Sequence, residues 1–314
     1  MPYALIFPKT LPLREAGLRF LYSRLPADER EAQLASTLAA AERNEFSLDH
    51  LCLAVDGEQI IGAVLALPRP GGAAFLWPPV VHEAAAGGPV SRELLETIGT
   101  RMDNQQIVFT QCLLDPADER GGAALDQGGV PRVTDLILLS RSLAEVIAAP
   151  LSIELSAENY STALQDRFAR IVERTYAETL DCPVLAQNRT GEESLEAHRA
   201  TGQFDPEAWR IYRFQGNDAG VLLLAEHSER DTWEVAYLGV IRELRGRGIG
   251  RAILEDGLRL ATRSQSRNIE IAVDAANTPA MRLYRSLGFT ELKRFAVHLR
   301  LRSVQNRQVL HSGS

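Results

Sequence analysis

The chain has little cysteine. Its three residues, Cys52, Cys112 and Cys182, are spread over 314 positions. Such spacing offers neither a disulfide framework nor a metal site, and it points to a reducing cytoplasm. There is no run of eighteen apolar residues, so no membrane-spanning helix is expected. The start, MPYALIFPKTLPLREAG, lacks the basic-then-apolar order of a secretion signal. A basic surplus is missing too. The net charge is −7, with 12 Lys and Arg against 19 Asp and Glu in residues 1–150 and 22 against 22 in the rest. Nucleic-acid binders show a broad basic face, so no nucleic-acid partner is expected.

What remains is ordinary for a soluble globular protein: 45% hydrophobic and 24% charged residues. A chain of this length suits two domains better than one. In the second half, periodicity predicts a strand near Ser152–Leu155, a helix over Tyr160–Tyr176 and a second helix near Leu195. Strands follow at Trp209–Phe214, Gly220–Ala225 and Thr232–Ile241. A long helix over Gly248–Ser264, a strand at Ile269–Asp274, a helix over Thr278–Leu287 and strand-like sequence over Phe289–Leu301 complete it. The first half repeats this order from Ala4 to Leu114. Placing Asp115 on Asp274 without a gap brings Gly129 onto Gly288, and VTDLILLSRSL onto ELKRFAVHLRL. The sequence therefore reads as two copies of one mixed α/β plan joined near Ala148–Ser152. The expected division is 1–149, 150–303 and a flexible tail at 304–314.

One stretch stands out: LGVIRELRGRGIGRAIL, Leu238–Leu254. A buried strand ends, and Gly246, Gly248 and Gly250 alternate with Arg242, Arg245, Arg247 and Arg251 before an amphipathic helix begins at Ile249. Such a turn aims backbone N–H groups at one place, where the helix dipole favours an anion. Glycine permits close approach to a phosphate, and arginine adds forked donors. A plain glycine-rich connection with solvated arginines is the structural alternative. The dinucleotide fingerprint fails because Arg251 stands where its third glycine belongs, and no Gly-Lys-Ser/Thr follows for a nucleotide P-loop.

The pattern that fits is R-x-x-G-x-G, as Arg245, Gly248 and Gly250. Downstream, VDAANTPAMRLYRSLGF supplies Asn277, Tyr284, Gly288 and Phe289. On these two motifs the chain resembles the GCN5-related N-acetyltransferase (GNAT) superfamily, most strongly over Gly216–Leu301. In layout it is similar to the tandem branch that includes mycothiol synthase-like enzymes. The resemblance implies two tandem acyl-CoA N-acyltransferase domains, each a mixed, mostly antiparallel sheet flanked by helices. It implies acetyl-CoA as acyl donor and no metal. Its pyrophosphate is expected on Arg245, Gly246, Arg247, Gly248, Ile249, Gly250 and Arg251. The backbone of Leu238, Gly239 and Val240 is expected to pair with the pantetheine arm as an added strand, with Gly239 allowing close approach or a bulge. Asn277 is expected to bond that arm or the adenine side, and it also suits a helix N-cap.

Acetyl transfer to an amine needs a base or water path to take the amine's proton, a donor for the oxyanion, and an acid for the thiolate. Tyr284 is the candidate acid; its alternative role is packing against the sheet. Glu234, six residues before Val240, is the candidate base by the same resemblance; a solvated residue at a strand start is the alternative, and many family members use water chains. The acceptor, a primary amine of a small molecule or an amino terminus, is expected over Glu178–Trp209, where Glu178, Asp181, Glu192 and Glu193 suit a cation. In the first copy Asp118 stands opposite Asn277 and Leu125 opposite Tyr284. Its loop PPVVHEAAAGGPVSREL lacks R-x-x-G-x-G. The first half is therefore read as a degenerate domain that scaffolds, shapes the acceptor pocket or holds cofactor without turnover. A non-enzymatic acyl-CoA sensor on the same fold is the competing function, and transfer of a longer acyl chain is a third.

Overall fold

The computed structural model describes residues 3–83, 88–144 and 153–302. The join near Ala148–Ser152 and the tail at 304–314 lie outside the described residues. The chain forms two compact units. One runs through Val133 and resumes from Ala296; the other is Thr134–Phe295.

The first unit begins with strand β1 (Ala4–Ile6) and helices α1 (Leu11–Leu21) and α2 (Ala27–Glu42). Strands β2 (Leu51–Asp56), β3 (Gln59–Arg69) and β4 (Ala73–Val81) follow. Helix α3 (Val90–Asn104), strand β5 (Phe109–Leu114) and helix α4 (Glu119–Gln127) come next; strand β6 (Arg132–Ser142) then leads into the second unit. In the second unit strand β7 (Ser156–Asn159) precedes α5 (Gln165–Tyr176), α6 (Pro183–Ala186) and α7 (Gly191–Arg199). Strands β8 (Trp209–Phe214), β9 (Asn217–His227) and β10 (Thr232–Val240) lead to α8 (Ile249–Ala261), β11 (Asn268–Asp274), α9 (Thr278–Ser286) and β12 (Thr290–Leu301). The strand expected near Ser152–Leu155 is found a few residues later, as β7. Short, polar edge strands carry too little alternation to fix their bounds.

The first sheet is ordered β1-β2-β3-β4-β5, and Ala296–Leu301 of β12 pairs antiparallel with β5. The second is ordered β6-β11-β10-β9-β8-β7, with β6 antiparallel to β11. Each unit's sheet thus contains strand residues from the end of the other sequence copy. A sequence division at 149/150 counts these strands with their own copies, whereas the compact units count them crosswise. The physical reason is that both strands alternate in the same way, and alternation does not say which edge a strand joins.

The repeat is visible hydrogen bond by hydrogen bond. Asp118 caps α4 by accepting from Gly121 N–H at 2.9 Å, and Asn277 caps α9 by accepting from Ala280 N–H at 3.3 Å. Asp115 Oδ1 accepts from Ala117 N–H at 2.9 Å, and Asp274 Oδ1 from Ala276 N–H at 2.8 Å. Gly129 and Gly288 close the two helices at φ +79° and +85°, the left-handed conformation that glycine adopts without penalty.

Around the second sheet, α8 presents Ile249, Ile253, Leu254 and Leu258 to one face, where they pack with Trp233 and Val235. On the other face Phe168, Ile171 and Val172 of α5 pack with Trp209, Ile211 and Val221. β10 lies between these two layers, so its side chains alternate between the α8 face and the α5 face.

Candidate active site

The site begins with a strand that leaves its neighbour. β10 pairs in parallel with β11 only from Thr232–Asn268 to Val235–Ile271. A register shift between Val235 and Tyr237 adds one residue to β10, and a bulge of this kind bends a strand and sharpens its twist. Beyond it β10 stays paired with β9 as far as Val240, while β11 stays paired with β6 as far as Asp274. Between them the sheet splays. From Tyr237 to Val240, β10 has no strand partner on the β11 side among the described residues, so its backbone there is open to another extended chain.

A cavity of about 200 Å³ fills the splay. Leu238, Gly239 and Val240 line one side, and Ala272 and Val273 the other. Asn277, Tyr284 and Arg245 line it as well. Six of the catalytic and cofactor residues expected from sequence are thus brought to one cavity, with Glu178 and Asp181 beside them.

Tyr284 is 6% exposed, and its hydroxyl makes no hydrogen bond among the described residues. A buried phenol normally finds a partner; this one faces the cavity instead. Burial, and then the charge of Asp181, push its pKa above the ordinary phenol value, so the hydroxyl keeps its proton at neutral pH. Asn277 spends Oδ1 on the α9 cap, which leaves its amide N–H₂ for the cavity.

The roof is the segment between α5 and α6, and it is held from both sides of the splay. On the β10 side Arg245 donates from Nε to Val240 O at 3.0 Å, from Nη1 to Glu178 O at 2.9 Å and from Nη2 to Thr175 O at 2.7 Å. On the β11 side Asp274 N–H donates to Asp181 Oδ1 at 2.9 Å, and Cys182 N–H to Asp274 Oδ2 at 3.1 Å. Thr134 Oγ1 donates to Asp274 Oδ1 at 2.7 Å. Glu178 and Cys182 adopt positive φ (+49° and +40°), strain that these ties hold in place. Burial, with the charge of Asp274, raises the Asp181 pKa above the ordinary carboxylate value. Burial also pushes the Cys182 thiol up to about 11, so it is not a thiolate at neutral pH.

The turn after β10 has the expected backbone. Gly246 and Gly248 take φ +74° and +81°. Ala252 N–H to Gly248 O is the first hydrogen bond of α8, so the N–H groups of Ile249, Gly250 and Arg251 precede it and have no partner within the helix. Gly250 is informative for a different reason. A Cβ there would meet only ordinary contacts, Val240 at 3.5 Å and Leu283 at 3.7 Å, at an unremarkable φ. The fold does not require glycine at this position, and without a side chain the backbone there stays open to close approach.

The arginines divide into roles that composition did not separate. Arg245, expected on a phosphate, spends three nitrogens on backbone carbonyls. Arg242 pairs with Glu178 at 2.7 Å. Arg251 pairs with Glu255 at 2.9 Å and donates to Ser286 Oγ at 2.9 Å. Arg247 is exposed and makes no ion pair among the described residues, so it is the arginine of this turn most available to an anion. At Gly239 the close approach is that of α5: a Cβ there would stand 2.6 Å from Thr175 Oγ1, and the bulge lies earlier in the strand. Thr175, which sequence reasoning missed, donates to Val172 O or bonds the Tyr237 hydroxyl, both at 2.6 Å.

Glu234 does not line the cavity. It stands opposite Glu270, one residue before the last paired position of the β10–β11 ladder. Trp233 and Val235 face α8, so Glu234 takes the face that also carries Tyr237. His227 Nε2 lies 2.8 Å from its Oε2. His198 stacks on Tyr237 at 5.5 Å, and burial pushes its pKa down to about 3, leaving it neutral.

The first unit repeats the splay. β4 pairs in parallel with β5 only over Ala73–Phe75, yet runs on to Val81 beside β3. The corresponding cavity, about 890 Å³, has Pro79, Val80 and Val81 on its wall. Pro78 and Pro79 occupy the positions of Tyr237 and Leu238, and proline has no N–H to offer an added strand. Leu125, fully buried, occupies the place of Tyr284.

Comparison with known proteins follows the same lines. The model of the Acetyltransferase (GNAT) family matches residues 173–289. A mycothiol acetyltransferase from Thermomonospora curvata is 26% identical over 87% of this chain and 86% of its own length. Stronger but shorter matches, 30–43% identical, span only about a fifth to a third of four further mycothiol acetyltransferases. Among solved structures, a GCN5-related N-acetyltransferase from Sphaerobacter thermophilus superposes with a TM-score of 0.64 at 21% identity, covering 96% of both chains. A tandem GNAT protein from the clavulanic acid biosynthesis pathway gives 0.51 at 16% identity, covering 96% of this chain and 99% of that one. These two likenesses concern the fold. Among the described residues no helix is long and apolar enough to cross a membrane.

Proposed function

We propose that the second unit, which contains the residues 173–289 matched by the Acetyltransferase (GNAT) family model, transfers an acetyl group from acetyl-CoA to a primary amine, by direct attack while both substrates are bound. The observation that carries this reading is the splay of β10 from β11. It offers a cavity, an unpaired strand edge and a glycine turn in the order in which acetyl-CoA presents its thioester, amide arm and pyrophosphate. The fit extends to the open space at Gly250, the unpaired Arg247 and the unpartnered hydroxyl of Tyr284.

The pyrophosphate rests on the N–H groups that open α8, with Arg247 adding charge. Leu238–Val240 bonds the arm as an added strand. Since the turn follows the end of β10, the arm runs back along the strand and its acetyl end reaches toward the bulge. The amine nitrogen attacks the thioester carbon, the C–S bond breaks, and Tyr284 gives its proton to the departing sulfur. An open N–H of β10 polarises the carbonyl. Glu234, on the face of Tyr237 just before the splay, takes the amine's proton directly or through water. The acidic roof, with Glu178 and Asp181 on the cavity, draws a cationic amine toward the site. The acceptor is a small molecule or an amino terminus. The first unit, with two prolines on its splayed strand and Leu125 in place of the phenol, carries no turnover of its own.

Incubation with acetyl-CoA and a panel of primary amines, read as thiol release and as acetylated amine by mass spectrometry, tests this. The expected result is amine-dependent thiol release. An acyl-CoA sensor would bind acetyl-CoA yet release no thiol with any amine, and that outcome would overturn the reading.

A further inference from the structure

Glu234 is held by a neighbour that nothing in the motifs announces. His227, the last residue of β9, is 14% exposed at its side chain and meets Glu234 Oε2 through Nε2 at 2.8 Å. A carboxylate only accepts, so Nε2 carries the proton and donates. The imidazole is itself confined. Gly202 packs against it so closely that a Cβ there would stand 3.0 Å from Cε1 and 3.1 Å from Nε2 of His227, and 2.7 Å from Glu226 O. Gly202 holds φ +55°, and Gln203 bridges to Glu226 beside it. The ring is therefore clamped between the 202–203 backbone and the Glu234 carboxylate.

We propose that His227 is a positioning residue for acetyl transfer: its Nε2–H fixes the rotamer of the Glu234 carboxylate and keeps it available as the proton acceptor. This rests on the reading of Glu234 as base given above. The other charged groups around the pair are on neighbouring elements. Glu229 Oε1 lies 3.6 Å from His227 Nδ1, Arg230 lies between Glu229 (3.8 Å) and Glu270 (3.5 Å), and Glu270 stands beside Glu234 in the parallel ladder. Glu226 accepts from Ser266 Oγ at 3.0 Å. Of these groups, His227 Nε2–H is the one that reaches the Glu234 carboxylate at hydrogen-bond distance, 2.8 Å.

The test compares H227F, which keeps a ring of similar size without a donor, with H227Q, which keeps a donor, and with E234Q. All three are full-length. The probes are acetyl-CoA with glucosamine, L-serine methyl ester or phenethylamine, read as thiol release. For H227F the expected result is a loss of about 10- to 100-fold in kcat with an unchanged KM for acetyl-CoA. H227Q recovers most of the rate. The acetyl-CoA thermal shift of each variant reports whether the fold survives. If H227F does not fold, H227Q decides alone: a rate as low as that of E234Q overturns the proposal. Wild-type rate in H227F, with E234Q strongly impaired, overturns the positioning role and leaves the base intact. Full activity in E234Q, or no thiol release by the wild type, overturns the reading beneath it and the proposal with it.

Discussion

Tyr284→Phe is expected to lower kcat by about 100- to 10,000-fold, the usual contribution of a positioned acid or base, while acetyl-CoA binding persists. The substitution removes one oxygen from a residue whose ring stays packed against Phe289 at 6.1 Å, so no cavity opens in the core. Only the hydroxyl that faces the cavity is lost. Its raised pKa, from burial and the nearby Asp181 charge, sets the sign of the pH dependence. A phenol whose proton is held more tightly remains a usable acid through neutral and mildly alkaline solution. The wild-type rate should therefore not fall through loss of this proton below about pH 10, the ordinary tyrosine value. Steady-state kinetics with thermal shift as the binding control decides the matter. A wild-type kcat in the phenylalanine variant would return Tyr284 to a packing role.

The second large effect is on binding. Gly248→Glu is expected to abolish stabilisation by acetyl-CoA. At ligand a hundredfold above Kd the wild type gains about 2.7 kcal/mol, roughly 5–10 °C in Tm for a unit of this size. The substitution acts twice. A side chain at φ +81° strains the turn, and its Cβ meets Ile153 Cδ1 at 3.1 Å. A carboxylate is also placed where N–H groups converge to receive phosphate. Each protein is compared with itself with and without ligand, which separates lost binding from lost stability. An undiminished shift in the variant would remove the turn from the ligand's path.

Local signals were legible in the sequence where chemistry and backbone geometry coincide in a few adjacent residues. The glycines at 246 and 248 announce positive φ, the apolar stripe from Ile249 announces α8, and Asn277 before Thr278-Pro279 announces a cap. The gapless match of Asp115 with Asp274 foretold paired hydrogen bonds in the two copies. Two kinds of information were not written locally. One is strand partnership: nothing in VTDLILLSRSL says that it joins β11, or in ELKRFAVHLRL that it joins β5. The other is how a polar side chain is spent. Arg245 looks like a phosphate ligand in sequence, yet Thr175 and Glu178, some 70 positions earlier, take its donors. Gly239 suggests a close approach, but not that Thr175 of α5 makes it. The tie between Asp181 and Asp274 and the clamp on His227 likewise depend on residues that the fold, not the sequence, makes neighbours.

On the proposed reading, acetyl-CoA enters the second unit's sheet as an extra strand in the splay. Hydrogen exchange with and without acetyl-CoA measures this directly. Slower exchange at the amides of Tyr237–Val240, together with Ile249–Arg251, is the predicted result. Unchanged exchange at those amides, with protection elsewhere or none at all, would contradict it.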